Sequence, residues 1–272
     1  MITDYSNSYK IAKVLYIDEQ LANLPNAHRV RGRRSVRIYS SDHKILHTYN
    51  LDKPGNHIYG EIADKRAHLK RIRKRLLSDL NISPSEFHIE LSAGYRLRKE
   101  DWEKMRSQSN SKEIKTDLWF NGIHMRSRFE VNTAILLSGL DLEFKYEPEL
   151  TVNGRTIHPD FVVYLPEFEV CFIIECMGKA GDPQYGYDAS ERIKILTEGG
   201  FIPFRDYLVL GGSDSYIPTK EWVTNAIVSI VNLIAGECVL PKSQEIRRQP
   251  EDLLLNEIPQ DLLDLINKDW EF

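Results

Sequence analysis

The sequence predicts an α/β protein in which a mixed central sheet is flanked by helices and preceded by a basic α+β region. Three observations support this fold class. Residues 158–179 have the pattern of a buried β-hairpin, and residues 125–140 and 221–235 have the apolar periodicity of helices. The charge of the chain also changes sign near residue 115, which indicates that the chain has two chemically different parts.

The hairpin is predicted to bring two carboxylates together. Its two runs of branched and aromatic residues flank the four-residue loop Pro166–Glu169. If the loop is those four residues, Leu165 pairs with Val170, and Asp160 then faces Glu175 with Cβ atoms about 4.5–5.5 Å apart. Two buried carboxylates at this spacing repel each other, so a divalent cation is expected to compensate their charge. A slip of one residue would place them on opposite faces.

The composition bounds the class of protein. At 272 residues and 42% hydrophobic, the chain can bury a core as one large domain or two modest ones. Its longest apolar run, residues 226–235, is shorter than the roughly 18–20 residues of a membrane span, and the N-terminus lacks the pattern of a signal peptide. The three cysteines lack metal-type spacing and are expected to be buried thiols. These observations predict a cytoplasmic protein with no membrane partner.

The net charge of −4 conceals two opposite halves. Residues 1–115 carry 23 Lys and Arg against 14 Asp and Glu, and residues 116–272 carry 13 against 26, so the balances are +9 and −13. The polar stretch 107–115 is the best linker candidate, and it coincides with the change of sign. We therefore predict a basic anion-binding region at 1–115, a metal-binding region at 116–240 and an acidic amphipathic tail at 241–272.

The basic half contains two candidate phosphate-binding elements. An arginine cluster precedes a predicted hairpin of strands 36–39 and 45–49, and residues 61–80 are predicted to form a basic amphipathic helix. Both could equally be solvated charged surfaces. The residues expected to contact phosphates are Arg31, Arg33, Arg34, Lys70, Arg71, Lys74 and Arg75.

The acidic half alternates strands and helices. In the predicted helix 125–140, Glu130 lies on the apolar stripe with Ala134 and Leu137, which indicates either a functional role or a partly exposed pair with Arg126. Further elements are predicted as a short helix at 99–107, strands at 142–150, 152–157 and 204–210, and a helix that begins at a capping box over 188–191 and ends near 198. The tail from residue 249 carries seven acids and one lysine, and it either packs on the core or contacts a protein partner.

The order of these features resembles the PD-(D/E)XK nuclease superfamily. The matching features are a helix with Glu130, a strand that begins with Pro159-Asp160 and an apolar strand that ends with Glu175. Arg126-Ser127 and Tyr146-Glu147-Pro148 strengthen the likeness. It covers residues 125–210 and implies a restriction endonuclease-like core.

The resemblance also implies roles for individual residues. Asp160 and Glu175, with the backbone carbonyl of Cys176, would hold Mg²⁺, for which Mn²⁺ can substitute. Glu130 would complete the acidic cluster. The ion would polarise the scissile phosphate and acidify the attacking water.

One position departs from the family pattern. The family lysine falls two residues after the strand glutamate, where this chain has Met177. A thioether can neither orient a water by donating a proton nor offset phosphate charge. The candidate substitutes are Lys179, Arg192 and Lys194, and we predict Lys194 as the catalytic cation.

The sequence therefore predicts a Mg²⁺-dependent endonuclease that hydrolyses phosphodiester bonds. Family base rates favour DNA over RNA as its substrate, and they suggest a homodimer. The first alternative is a catalytically inactive nuclease-fold protein that binds nucleic acid or acts as a scaffold subunit, because Met177 replaces the lysine. The second is a hydrolase of small phosphate compounds, which would need no basic half of this size.

Overall fold

The computed structural model describes residues 5–91, 94–178, 183–212, 216 and 218–242. Residues up to Leu240 form one compact unit, and Pro241 begins a second, of which only Pro241 and Lys242 are described. The predicted acidic tail therefore lies almost wholly outside the described residues. The fold is mixed α/β, as predicted.

Helices occupy the predicted segments and one further segment at the N-terminus. Hydroxyl side chains cap α1, α4 and α6, where Ser6, Ser127 and Thr219 accept backbone N–H bonds. The helices are α1 (Asn7–Asn23), α2 (His57–Ser78), α3 (Lys99–Lys104), α4 (Arg128–Gly139), α5 (Pro183–Glu198) and α6 (Lys220–Cys238).

The strands are short except in the central hairpin. They are β1 (Ala27–Arg29), β2 (Ser35–Tyr39), β3 (Ile45–Asn50), β4 (Phe87–Ile89), β5 (Leu118–Phe120), β6 (Ile123–Met125), β7 (Glu143–Tyr146), β8 (Leu150–Val152), β9 (Arg155–Ile157), β10 (Phe161–Leu165), β11 (Val170–Met177), β12 (Tyr207–Gly211) and β13 (Val239–Pro241). Asn153 and Gly154 have positive φ angles and form the tight turn between β8 and β9.

The central sheet has the strand order β12–β11–β10–β7. The hairpin β10–β11 is antiparallel, β7 is antiparallel to β10, and β12 is parallel to β11. Leu165 pairs with Val170 and Phe161 with Ile174, which confirms the predicted register of the hairpin. Both hairpin strands are almost wholly buried, as expected for a sheet that is covered on both faces.

Apolar residues of the central sheet pack on both of its faces. On one face Phe161, Val163 and Leu165 belong to a core that includes residues of α1, α4 and α6. On the other face Val162 and Tyr164 pack with Leu196 of α5 and with residues of β8 and β9. The strand period of two assigns Asp160 and Glu175 to this second face, beside α5.

The N-terminal residues belong to the same core as the central sheet. Tyr9, Ile11 and Val14 of α1 are buried there. Lys13 of α1 forms an ion pair with the fully buried carboxylate of Glu167, in the hairpin loop, at 2.5 Å. The core therefore crosses the boundary predicted near residue 115. That boundary marks a change in charge along the sequence and not a division of the core.

The basic strands and helix form a small α+β subregion. Strands β1, β2 and β3 form an antiparallel sheet, and Ala27, Val36 and Ala63 make a minor core between this sheet and α2. Arg29 and Asp64 join the two elements through a bidentate ion pair. The predicted hairpin and basic helix are both confirmed.

Two sequence predictions require correction. The predicted capping box at 188–191 lies inside α5, which begins at Pro183, so the helix starts earlier than predicted. The linker candidate 107–115 is held against β7 by backbone bonds from Gln108 N–H to Tyr146 O and from Ser109 N–H to Glu147 O. The polar residues of this segment make hydrogen bonds within the fold, so its composition does not indicate a linker.

Within the described part of the chain, no helix has both the length and the apolar character needed to cross a membrane. Cys171, Cys176 and Cys238 are buried, as predicted, and none of them is in a disulfide.

Candidate functional site

The carboxylates of Asp160 and Glu175 meet at one end of the hairpin. The register runs from Leu165–Val170 to Phe161–Ile174, and Asp160 and Glu175 are the next residues along the two chains. Asp160 Oδ2 accepts a 2.6 Å hydrogen bond from the backbone N–H of Cys176. Burial raises the pKa of Asp160 well above its usual value, and the charges of Glu175 and Glu130 add to the effect.

Glu175 is almost completely buried, at 1% exposure. Its Oε2 accepts a 3.0 Å hydrogen bond from Arg192 Nε, whereas its buried Oε1 has no hydrogen-bond partner among the described residues. Burial raises the pKa of Glu175 to about 7, although Arg192 acts in the opposite direction. A buried carboxylate oxygen without a donor is unusual, and it marks a place where a cation or a proton would bind.

Glu130 is buried at the N-terminus of α4 and is surrounded by donors. Its Oε2 accepts bonds from Tyr146 O–H at 2.7 Å and from the Arg126 N–H at 3.0 Å, and its Oε1 accepts one from Ser127 O–H at 2.9 Å. Ala134 and Leu137 are fully buried on the same stripe, as predicted. The side chain of Arg126 does not pair with Glu130, which excludes the exposed-pair interpretation.

Arg126 connects the acidic groups to the segment predicted as a linker. Its Nε donates to Glu147 Oε1 at 2.6 Å, and its guanidinium also donates to the carbonyls of Glu113 and Lys112 at 2.9 and 2.7 Å. Asn110 donates a further bond to Glu147 Oε1 at 3.1 Å. We call residues 107–116 the strap, because these bonds hold them across the site.

A cleft of about 940 Å³ opens over these groups. We call it the acidic cleft. Cationic side chains also line it, so both positively and negatively charged groups face the cleft. Its lining includes Asn110, Lys112, Arg126, Arg128, Glu130, Glu147, His158, Asp160 and Arg192. The buried Nδ1 of His158 has no hydrogen-bond partner among the described residues.

The predicted catalytic residues are only partly brought together. Glu130 and Asp160 line the acidic cleft, Cys176 bonds Asp160 through its backbone N–H, and Glu175 bonds the cleft residue Arg192. Lys194 instead lies 58% exposed on α5, 3.8 Å from Glu191. Lys179 lies outside the described residues.

Sequence reasoning did not single out Glu147, Arg126 or His158 as functional, and it favoured Lys194 over Arg192. One signal could have identified Arg192. Ala189, Arg192 and Leu196 are spaced by three and four residues, and both apolar members are buried, so Arg192 is on the stripe that faces the sheet. Glu147 and His158 adjoin motif residues, but their contacts come from segments distant in sequence.

The predicted phosphate-contacting residues lie in the α+β subregion. Lys70, Arg71, Lys74 and Arg75 are exposed on α2. Arg31 and Arg33 are exposed in the loop that precedes β2, and the exposed Arg34 pairs with Asp52 at 3.0 Å. These side chains are accessible to an anionic ligand.

The donor set is compatible with a hard divalent cation. Within the described residues, no three His, Cys, Asp or Glu side chains are grouped closely enough to hold a metal ion by themselves. Mg²⁺ needs fewer, because it commonly uses one or two carboxylates with waters and substrate phosphates. The unpaired Oε1 of Glu175, beside the oxygens of Asp160, fits that requirement.

Comparison of the chain with protein-family models, with curated proteins and with solved structures finds no match. Functional inference therefore depends on the geometry and chemistry of the acidic cleft.

The raised pKa values predict that the acidic cleft destabilises the fold at high pH. The native state keeps its protons to higher pH than the unfolded chain, so the free energy of unfolding falls as the pH rises from about 4 through about 7. Asp160→Asn keeps an oxygen acceptor for Cys176 and removes the charge. In EDTA at pH 8 it should raise the melting temperature by about 2–4 °C, with a smaller gain at pH 4.

The matched control is Asp42→Asn in an exposed turn. The hydrogen bond from Lys44 lowers the pKa of Asp42, so removal of this charge should give no gain at pH 8. A melting temperature for Asp160→Asn at or below that of the wild type at pH 8 would contradict the assignment of repulsion to the acidic cleft.

Proposed function

We propose that the protein is a metal-dependent nuclease that hydrolyses the phosphodiester bonds of DNA. The observation that carries the proposal is the pair Asp160 and Glu175, which adjoin the last residue pair of the hairpin; Asp160 lines the acidic cleft, and Glu175 bonds the cleft residue Arg192. The unpaired, buried Oε1 of Glu175 supports a cation at this position. Helix α4, hairpin β10–β11, helix α5 and strand β12 also follow the order expected of a restriction endonuclease-like core.

The acidic groups have different tasks in this proposal. Asp160 and Glu175, with the Cys176 carbonyl, would hold Mg²⁺, and Glu130 would keep the cluster anionic. The bound ion would supply Lewis-acid activation of the phosphate and of the attacking water. The backbone N–H of Cys176 orients Asp160, while Tyr146 and Ser127 fix Glu130. These bonds preorganise the cluster before substrate arrives.

Arg192 is our proposed substitute for the family lysine. It lines the acidic cleft and contacts Glu175 directly, whereas Lys194 points to a surface glutamate. A guanidinium remains protonated throughout the working pH range, so it would stabilise negative charge on the phosphate without transferring a proton. His158, also in the cleft, is the better placed group for proton transfer.

The α+β subregion would supply affinity for nucleic acid. Four exposed cations lie within two turns of α2, a density that suits a phosphate backbone. Small phosphate compounds would gain nothing from this surface. It therefore favours a polynucleotide substrate over a small phosphate compound.

The alternative is an inactive nuclease-fold protein that binds nucleic acid or acts as a scaffold. Two observations favour it. Met177 occupies the position of the family lysine, and Arg192 already neutralises Glu175 in the structure. Both candidates predict binding, so cleavage decides between them.

The decisive prediction concerns the carboxylates of Asp160 and Glu175. Asp160→Ala and Glu175→Ala should each lower the rate of Mg²⁺-dependent cleavage by more than roughly 100-fold. Changing a residue that only supports the metal ligands typically costs roughly 10–100-fold. Binding measured in EDTA should change little, because the basic contacts remain. The assay uses plasmid and short single- and double-stranded DNA and RNA, with Mg²⁺, Mn²⁺ or EDTA.

The matched control is Glu169→Gln, which changes an exposed acid in the loop of the same hairpin. It should cleave as the wild type does. Equal cleavage by the wild type and both alanine variants would overturn the metal site, and binding without cleavage on every substrate would favour the inactive alternative.

A second prediction distinguishes the two cations of α5. Arg192→Gln should lower kcat by about 10²-fold, as removal of a charge-stabilising donor does, while Lys194→Gln should stay within about twofold of the wild type. Single-turnover cleavage with saturating protein measures both. The opposite result would restore Lys194 as the catalytic cation.

A third prediction concerns α2. Replacement of Lys70, Arg71, Lys74 and Arg75 by Gln should weaken binding equally across sequences and reduce the slope of log K against log salt by roughly 3–4. Fluorescence anisotropy at several salt concentrations measures this. The control variant replaces Lys99 and Lys104 of α3 by Gln and should keep the wild-type slope. An unchanged slope in the α2 variant would show that the charged face of α2 is only solvated.

A further inference from the structure

The hairpin β5–β6 presents an aromatic ring to solvent beside the acidic cleft. Phe120 and Ile123 turn inward against the main core, so strand alternation places Trp119 outward. Trp119 is 57% exposed, a large apolar area for a tryptophan. Such a ring is a candidate contact for a ligand with an aromatic face.

The ring is held rigidly. It stacks on its cross-strand partner His124 with centroids 4.4 Å apart and planes at 4°, and the indole N–H donates to Asp117 Oδ1 at 3.1 Å. His124 Nε2–H donates in turn to the Thr116 carbonyl at 2.5 Å. One face of the indole is thus covered and fixed, and binding on the other face would require little ordering of the side chain.

The same bonds connect this ring to the acidic cleft. His124 precedes Arg126 by two residues, about 7 Å along a strand. Gln108 of the strap donates to the His124 carbonyl, and the Gln108 N–H donates to the Tyr146 carbonyl beside Glu147. Trp119 therefore has a fixed position relative to the carboxylates.

The acidic cleft also has exposed cations that suit the phosphates of a nucleic-acid strand. Lys112 and Arg128 are exposed, and both line the acidic cleft. A cationic channel with an aromatic platform beside it is the arrangement that binds single-stranded nucleic acid, because phosphates contact the cations while a base stacks on the ring.

We propose that an unpaired nucleobase stacks on the open face of Trp119, so the substrate class of the acidic cleft is nucleic acid with unpaired bases next to the scissile phosphate. This inference depends on the proposed function for the identity of the ligand. Bases inside a regular duplex are stacked on their neighbours and cannot offer a face to Trp119. A loop, gap, bulge or single-stranded end can.

A simpler role for the ring is to stabilise its own hairpin. A cross-strand Trp–His pair contributes to sheet stability wherever it occurs. That role predicts a change in folding stability and no discrimination between paired and unpaired substrates, so the two roles give different binding results.

The experiment measures the affinity of the full chain in EDTA for two fluorescein-labelled DNAs. One is a fully paired duplex, and the other has the same sequence with a short unpaired gap. Trp119→Ala should bind the gapped DNA about tenfold more weakly than the wild type and should bind the paired duplex unchanged. Trp119→Phe keeps an aromatic face and should recover most of the loss.

Trp222→Ala is the matched control, because Trp222 is a 42% exposed tryptophan on α6. It should bind both DNAs as the wild type does. Thermal melting of each variant verifies that it is folded. Equal loss on both DNAs, no loss on either, or a wild type without preference for the gapped DNA would each overturn the stacking inference.

Failure of this inference is distinguishable from failure of the proposed function. Asp160-dependent cleavage with an unchanged affinity of Trp119→Ala would sustain the nuclease and exclude the stacking site. A Trp119-dependent preference without cleavage in any metal would support the stacking site and exclude the nuclease. No binding of either DNA by the wild type would overturn both proposals.

Discussion

The backbone pairing of hairpin β10–β11 is the constraint on which the site depends. A loop of four residues fixes Leu165 opposite Val170, and each further pair follows to Phe161 opposite Ile174, which Asp160 and Glu175 adjoin. The apolar residues between them are buried on both faces of the sheet, so the register cannot slip without exposing them. Apolar packing therefore provides the stabilisation that keeps two mutually repelling carboxylates together.

Two arginines counter the negative charge of the site from different directions. Arg192 approaches Glu175 from α5, and Arg126 approaches Glu147 from the start of α4. Arg126 also bonds the carbonyls of the strap, so the same residue that moderates the charge also positions a wall of the acidic cleft. A change at Arg126 would consequently alter both the charge of the acidic cleft and the position of the strap.

The sequence was sufficient where local rules determine the structure. The hairpin register follows from strand period and loop length, and the burial of Glu130 follows from the helical stripe it shares with Ala134 and Leu137. It was insufficient where distant segments meet. The strap has the composition of a linker because its hydrogen-bond partners, among them Tyr146, Glu147 and His124, lie elsewhere in the fold. Lys194 was predicted in place of Arg192 because the sequence alone does not show which of the two side chains contacts Glu175.

The ion pair between Lys13 and Glu167 has a consequence for how such a chain can diversify. The carboxylate in the hairpin loop is fully buried, and its cation comes from α1, more than 150 positions earlier in the chain. A core that began near residue 116 would keep Glu167 and lose its counter-charge, together with the apolar side chains of α1. The basic and acidic halves are thus not interchangeable modules. Gene fusion or recombination near residue 115 would separate the basic half from the acidic half, and it would also divide a single folding unit.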